Sequence, residues 1–185
     1  MGKRLFVSVD LDGLAGEVSA IQELFEGASG LNFVDPRQAH LTLKFLGDTD
    51  EDRIPPLTEA LDAAVDAAEV DPFTARFGGL GVFPSLEYIS VVWLGVRSGG
   101  DQLTALHEAI EDRTVAMGFD PEGHGFTPHV TLARMNHAGG KELVQETVRE
   151  RDPNAGTLRV TDVRLTESVL TDDGPEYSTL ESFEI

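Results

Sequence analysis

Apolar and polar positions change period several times along the chain, and each change marks an element. Arg4–Asp10 (RLFVSVD) alternates and carries β-branched residues, which predicts a strand. Leu14, Val18, Ile21, Leu24 and Phe25 recur at helical spacing, so Leu14–Phe25 predicts a helix. His40–Leu46 (HLTLKFL) alternates again, between Asp35-Pro36 and Gly47-Asp48, and predicts a second strand. A helix over about Ile54–Val70 follows, with Pro55 and Pro56 in its first turn, where a missing N–H is tolerated. Phe73–Leu80 and Tyr88–Val96 read as strands joined through the Gly/Pro-rich segment Gly78–Ser85, with Gly78-Gly79-Leu80-Gly81 as a turn. Asp101 is placed to cap a third helix that runs to about Met117 and ends at Gly118. His129–Met135 (HVTLARM) is a further strand, Lys141–Arg149 a short helix, and Thr157–Leu170 and Tyr177–Ile185 supply the last strands. Strands and helices interleave without the cadence of a doubly wound parallel sheet, so the fold class is α+β. No linker-like stretch divides the chain, and residues 1–185 read as one domain.

Composition narrows the function classes. The longest apolar run, Ile89–Val96, is well short of the ~18 residues that a membrane span needs. The apolar stretch after Lys3 and Arg4 ends at Asp10, too short for a signal peptide, so the expectation is a cytoplasmic protein with no membrane partner. There is no cysteine, which excludes disulfides, thiolate metal sites and a cysteine nucleophile. The 33 acidic residues against 14 basic ones give a net charge of −19, and only Lys3, Lys44 and Lys141 are lysines. Acids spread along the whole chain, with lysine scarce and cysteine absent, resemble the proteins of salt-accumulating halophiles. Such a charge opposes non-specific nucleic-acid binding at low ionic strength. At ~1 M salt the screening length falls to ~3 Å, so a small site that grips one phosphate remains compatible with it.

The chemistry lies in an internal echo. His40-Leu41-Thr42-Leu43 and His129-Val130-Thr131-Leu132 repeat one pattern, His-apolar-Thr-Leu, 89 residues apart, each on a strand after a Pro-containing loop. Residues i and i+2 of a strand share a face about 6.5–7 Å apart. His40 and Thr42 therefore point one way, while Leu41, Leu43 and Phe45 point into the core. His129 and Thr131 repeat the arrangement over Val130 and Leu132. If the chain is two related lobes, the motifs face each other across a cleft holding two imidazoles and two hydroxyls, with no obvious carboxylate partner. Two histidines can divide acid and base work near neutrality. Threonine hydroxyls can donate to the non-bridging oxygens of a phosphoryl group as charge grows there. No Asp or Glu lies within either motif, so no metal and no other cofactor is called for.

These motifs resemble the two-histidine phosphoesterase superfamily, specifically the RNA 2′,3′-cyclic phosphodiesterase family, also described as 2′–5′ RNA ligases. The resemblance runs over nearly the whole chain: RLFVSVDL, HLTLKFLG (His40–Gly47), FGGLGVFPS, VVWLGV and PHVTLAR (Pro128–Arg134). It implies a bilobal α+β fold with pseudo-twofold symmetry, two antiparallel-sheet lobes with helices outside and a central cleft. It implies metal-independent hydrolysis of the 2′,3′-cyclic phosphate at RNA 3′ ends, or of small cyclic-phosphate nucleotides, to a 2′-phosphate. By motif, His40 would donate the proton to the departing 3′ oxygen, His129 would activate water, and Thr42 and Thr131 would hold the phosphate. Arg134 matches the family's arginine after the second motif, but its parity is opposite to that of His129, so a site role requires a bend or bulge. Ile89-Ser90 stands where family members often carry a basic residue. Lys44 shares the parity of His40, which would let it face the cleft, but it reads as a surface lysine, and His107, His124 and His137 read as surface residues. Two other functions compete: a non-catalytic RNA-end or nucleotide-binding module, and 2′–5′ ligation by the reverse reaction. A duplicated cleft needs no partner chain, and a monomer is expected.

Overall fold

The computed structural model describes residues 2–185. Nine strands form one antiparallel sheet with four α-helices packed outside it. In chain order these are β1 (Gly2–Asp10), α1 (Ala15–Gln22), β2 (Leu31–Phe33), β3 (His40–Asp50), α2 (Ile54–Ala68), β4 (Phe73–Pro84) and β5 (Ile89–Ser98). They continue as α3 (Gly100–Ala116), β6 (His129–Met135), α4 (Lys141–Glu150), β7 (Asn154–Val160), β8 (Asp162–Thr171) and β9 (Gly174–Glu184). The strand order is β7-β4-β5-β6-β3-β1-β8-β9, with β2 on the outer half of β6. The α+β class and the bilobal arrangement expected from the motifs are what is observed. The lobes are the two halves of this sheet, β3-β1-β8-β9 and β7-β4-β5-β6.

One register pair joins them. Leu41 of β3 faces Val130 of β6, and on either side of that pair the strands part. An antiparallel pair has a local twofold axis between its partners. Here it relates residue 41+k to residue 130+k, an offset of 89, the same offset as the sequence echo. The two motifs are thus symmetry mates about one contact.

The core is built from alternate residues facing the helices. Leu5, Val7, Val9, Leu41, Leu43, Val130 and Leu132 are all buried. Helices α2 and α3 pack on each other and reach β9 and β3, while α1 and α4 pack beneath β6, β7 and β4. Their buried faces are Leu57, Leu61 and Val65; Leu103, Leu106 and Ile110; Val18 and Ile21; and Val144. Among the described residues no helix is long and apolar enough to cross a membrane.

Two local expectations change. The helix over 100–116 is capped by Gly99 in a left-handed conformation, and Asp101 sits inside its first turn. Gly78-Gly79-Leu80-Gly81 is not a turn; it lies within β4, where the register against β5 slips between Phe77 and Leu80. Gly79 takes a positive φ of 79°, whereas Gly78 and Gly81 leave room for the Arg97 and Trp93 side chains. A Cβ on Gly81 would stand 2.2 Å from the Trp93 ring, so the missing side chain is what seats the indole on β4. Gly81→Ala should therefore cost roughly 1–3 kcal/mol in urea unfolding and alter the emission of the sole tryptophan. A stability within experimental error of wild type would refute this packing role.

Candidate active site

Both motifs open onto a concave cleft of about 1340 Å³ lined by His40, Thr42, His129, Thr131 and Arg134, all five residues singled out in the sequence. The backbone reason is a matched pair of β-bulges. Ser8 faces Thr42 but Val7 faces Lys44, leaving Leu43 as an extra residue. Trp93 faces Thr131 but Val92 faces Ala133, leaving Leu132 extra at the equivalent place. A bulge reverses strand parity beyond it. Leu43 and Lys44 are consequently both buried and Phe45 is turned out, 50% exposed, beside the cleft rather than in the core. In β6 the same slip buries Leu132 and Ala133 and brings Arg134 onto the face of His129 and Thr131. This is the bulge that a site role for Arg134 requires. Phe45 and Arg134 are equivalent positions under the twofold, one aromatic and one cationic.

The imidazoles are held alike. His40 Nδ1 donates to the carbonyl of Gln38 at 3.0 Å, and His129 Nδ1 donates to the carbonyl of Thr127 at 2.7 Å. A carbonyl can only accept, so each neutral ring carries its proton on Nδ1 and leaves Nε2 as the free basic atom. Among the described residues neither Nε2 nor either threonine hydroxyl has a protein partner. Burial pushes both histidines below their ordinary value of 6.5. The carbonyl bonds work against that shift and the Arg134 charge works with it.

The rings around the two histidines differ. His40 stacks on Phe6 at 4.7 Å and takes the edge of Tyr177 at 5.1 Å. His129 meets Phe83 edge-on at 4.9 Å and Trp93 at 5.9 Å. Charge differs too. Asp10 faces His40 in the β1–β3 register, whereas Gly95 faces His129 between β5 and β6. Asp10 is fixed by Ser8 Oγ at 2.8 Å and by the Arg164 guanidinium at 2.9 Å, and its charge favours the protonated form of His40. A carboxylate therefore stands beside one histidine of the pair and not the other. Of the other histidines, His124 and His107 line the cleft, and His107 is buried on Phe126 rather than exposed. His137 lies at the surface, where its Nδ1 accepts the Gly139 N–H. Among the described residues no group of three His, Cys, Asp or Glu side chains is arranged to hold a metal ion.

Asp10, Phe6, Tyr177 and Phe83 were not singled out in the sequence. The alternation of RLFVSVD does put Phe6, Ser8 and Asp10 on one face, but nothing in the pattern sets its register against the histidine strand.

Two symmetry-related His/Thr pairs thus face one cleft of an antiparallel sheet. The profile of the 2′-5′ RNA ligase superfamily matches residues 11–171, and the chain belongs to that superfamily. It is 36% identical over 188 aligned residues to the RNA 2′,3′-cyclic phosphodiesterase of Methanothermobacter thermautotrophicus, covering 100% of both chains. Against the RNA 2′,3′-cyclic phosphodiesterase of Archaeoglobus fulgidus it is 34% identical over 183 residues, with 98% of this chain and 99% of that one covered. A crystal structure of a Thermus thermophilus protein superposes with a TM-score of 0.78 at 28% identity, over 98% of this chain and 97% of that one. E. coli LigT complexed with 3′-AMP shares the fold, with a TM-score of 0.80 at 22% identity over 100% of this chain and 99% of that one.

Nitrogen-15 NMR of the imidazoles tests the hydrogen-bond assignment. At neutral pH both His40 and His129 should be Nδ1–H tautomers that titrate below 6.5. Dominant Nε2–H forms would refute it. Because the unfolded chain then binds more protons below pH 6.5, these two residues make stability fall as pH falls from that value. Trp93 gives a second reading: its fluorescence should drop as the neighbouring His129 gains its proton, and that step should vanish in His129→Gln.

Proposed function

We propose that the chain is a metal-independent phosphoric diester hydrolase that opens the 2′,3′-cyclic phosphate of RNA 3′ ends, or of small cyclic nucleotides, to a 2′-phosphate. The observation that carries this reading is the twofold axis through the Leu41–Val130 pair, which sets two free Nε2 atoms on opposite flanks of one point. In-line displacement at phosphorus needs that arrangement. The entering and leaving oxygens lie on opposite sides of phosphorus, and the non-bridging oxygens lie between them. A phosphorus atom near the axis has one imidazole behind the attacking water and the other before the leaving oxygen.

Atoms balance in one turnover. His129 Nε2 takes a proton from water as the water oxygen bonds to phosphorus. The bond to the 3′ oxygen breaks, and protonated His40 gives that oxygen its Nε2 proton. Thr42 and Thr131 hydroxyls donate to the non-bridging oxygens, where negative charge grows. Solvent then returns His40 to its protonated and His129 to its neutral form. Asp10 supports this division, because a carboxylate beside His40 favours imidazolium there, and His129 has glycine in the matching place. Phe45, exposed beside the cleft with Phe6 behind it at 6.4 Å and the Arg4 guanidinium 5.4 Å from its ring, offers a face for the terminal base. Arg134, unpaired among the described residues, meets the phosphate from the other lobe. The protein works as a monomer in the cytoplasm, and its acidic surface suits concentrated salt.

Phosphorus NMR of a 2′,3′-cyclic mononucleotide and a short cyclic-ended RNA, in molar KCl with excess chelator, tests the reading. A 2′-phosphate should form with wild type and not with His40→Ala or His129→Ala. Persistence of the cyclic ester with folded wild type would favour the binding module. Wild-type rates in either variant would remove the acid–base pair.

The active free protein carries one proton on the pair. Both groups lie below 6.5, so kcat/KM should be maximal below that pH and fall as pH rises through it. Bound phosphate favours imidazolium, so the kcat profile should sit at higher pH. A kcat/KM optimum well above neutrality would contradict both shifts. Phe45→Ala should raise KM roughly tenfold with little change in kcat, the loss of one stacked base. An unchanged KM would take the base off this shelf.

A further inference from the structure

The bulge that turns Lys44 away from the cleft places it where the proposed reaction does not need it. Lys44 is 1% exposed, and its Nζ donates to Glu111 Oε1 and Oε2 of α3 at 3.2 and 3.1 Å and to the Asp120 carbonyl at 2.5 Å. Glu111 Oε1 also accepts the backbone N–H of Glu122 at 3.0 Å. All three ammonium protons are used, and all four bonds converge on the start of the segment 119–128 or on the α3 carboxylate that holds it. The far end of that segment is held from the same bulge by a second route. His107 of α3 donates Nδ1–H to the Leu43 carbonyl at 2.6 Å, and its ring lies flat on Phe126 at 4.1 Å with planes 7° apart. The next residue, Thr127, offers the carbonyl that orients His129.

This segment contains Gly123 and Gly125 and forms no helix or strand, so side chains must define its path. A buried ion pair is a costly way to do so where apolar packing would serve. Indeed the twofold equivalent of Lys44 is Ala133, buried without a charge. The carbonyl that orients His40 has a different support. Gln38 closes a short 3-10 turn (Pro36–Gln38), and its side chain bonds the β9 edge at the Pro175 carbonyl and the Tyr177 N–H. Each imidazole therefore has its own scaffold, and that of His129 begins at the bulge of the opposite motif.

We propose that Lys44, Glu111 and His107 are positioning residues for His129, coupling the bulge of the first motif to the orientation and tautomer of the imidazole in the second. The proposal rests on the role given to His129 above. Lys44 and Glu111 fix where the segment starts, His107 and Phe126 fix where it ends, and Thr127 passes that placement to His129 Nδ1.

The test combines imidazole nitrogen-15 NMR with turnover of 2′,3′-cyclic AMP in Lys44→Met, Glu111→Gln, Phe126→Leu and His129→Gln. In the first three variants neutral His129 should change from the Nδ1–H tautomer to a mixture with Nε2–H, while His40 keeps its wild-type signals. Misplacement of a base should lower kcat roughly tenfold to a hundredfold and leave KM within about threefold. If Lys44→Met does not fold, Glu111→Gln, which keeps the side-chain shape, and Phe126→Leu, on a half-exposed loop, carry the same comparison. An unchanged His129 tautomer and kcat within about twofold of wild type, in folded variants whose His129→Gln counterpart is inactive, would overturn the coupling and leave the function standing. Wild-type turnover in His129→Gln would overturn the premise as well.

Discussion

The antiparallel contact between Leu41 and Val130 is the constraint on which the site depends. It is the one register pair between β3 and β6, and it sits one residue from each histidine and one from each threonine. Both its side chains are fully buried, so the axis is fixed from below by the core rather than by polar groups in the cleft. Symmetry then does chemical work. A displacement at phosphorus has two flanks with opposite proton needs, and an antiparallel pair supplies two like groups on opposite flanks. The strands part beyond the pair, and the opening between them makes room for the ligand.

Departures from the symmetry give the two flanks different surroundings. The two bulges are matched, but what they carry is not. Phe45 and Arg134 turn outward at equivalent positions, giving one lobe an aromatic face and the other a cation. Lys44 and Ala133 turn inward at the next pair of positions, and a buried charge stands on one side alone. Asp10 and Gly95 lie opposite the two histidines, so a carboxylate attends His40 and none attends His129. Each difference separates two groups that the fold would otherwise make interchangeable. Desolvation lowers both imidazoles, and Asp10 favours the charged form of His40 alone, a difference that suits His40 to the acid role in the proposed reaction.

Much of this was legible in the sequence because strands write their faces in alternate residues. The His-apolar-Thr-Leu echo placed four cleft residues on one face and two strands in the core, and the bulges could not disturb that, since both fall at the leucine and change parity only beyond it. Beyond the leucine the same reasoning failed. Phe45 was expected in the core and is exposed, and Arg134 had the wrong parity, because a bulge is a property of the pairing of two strands and leaves no mark on one of them. Lys44 and His107 looked like surface residues for a related reason. Their partners Glu111, Asp120 and Leu43 are brought together by tertiary packing, which periodicity does not encode. The glycines of β4 were misread as a turn because glycine serves close approach as often as chain reversal, and here the approaching group is the Trp93 ring.

In the proposed reaction His40 protonates the leaving 3′ oxygen and His129 activates water, and a change of the leaving atom separates the two roles. A cyclic substrate whose 3′-bridging oxygen is replaced by sulfur has a leaving group that needs no proton. On that substrate His40→Ala should recover most of the wild-type rate, while His129→Ala remains as impaired as on the oxygen ester. Recovery in His129→Ala instead, or equal impairment of both variants on both substrates, would contradict the assignment.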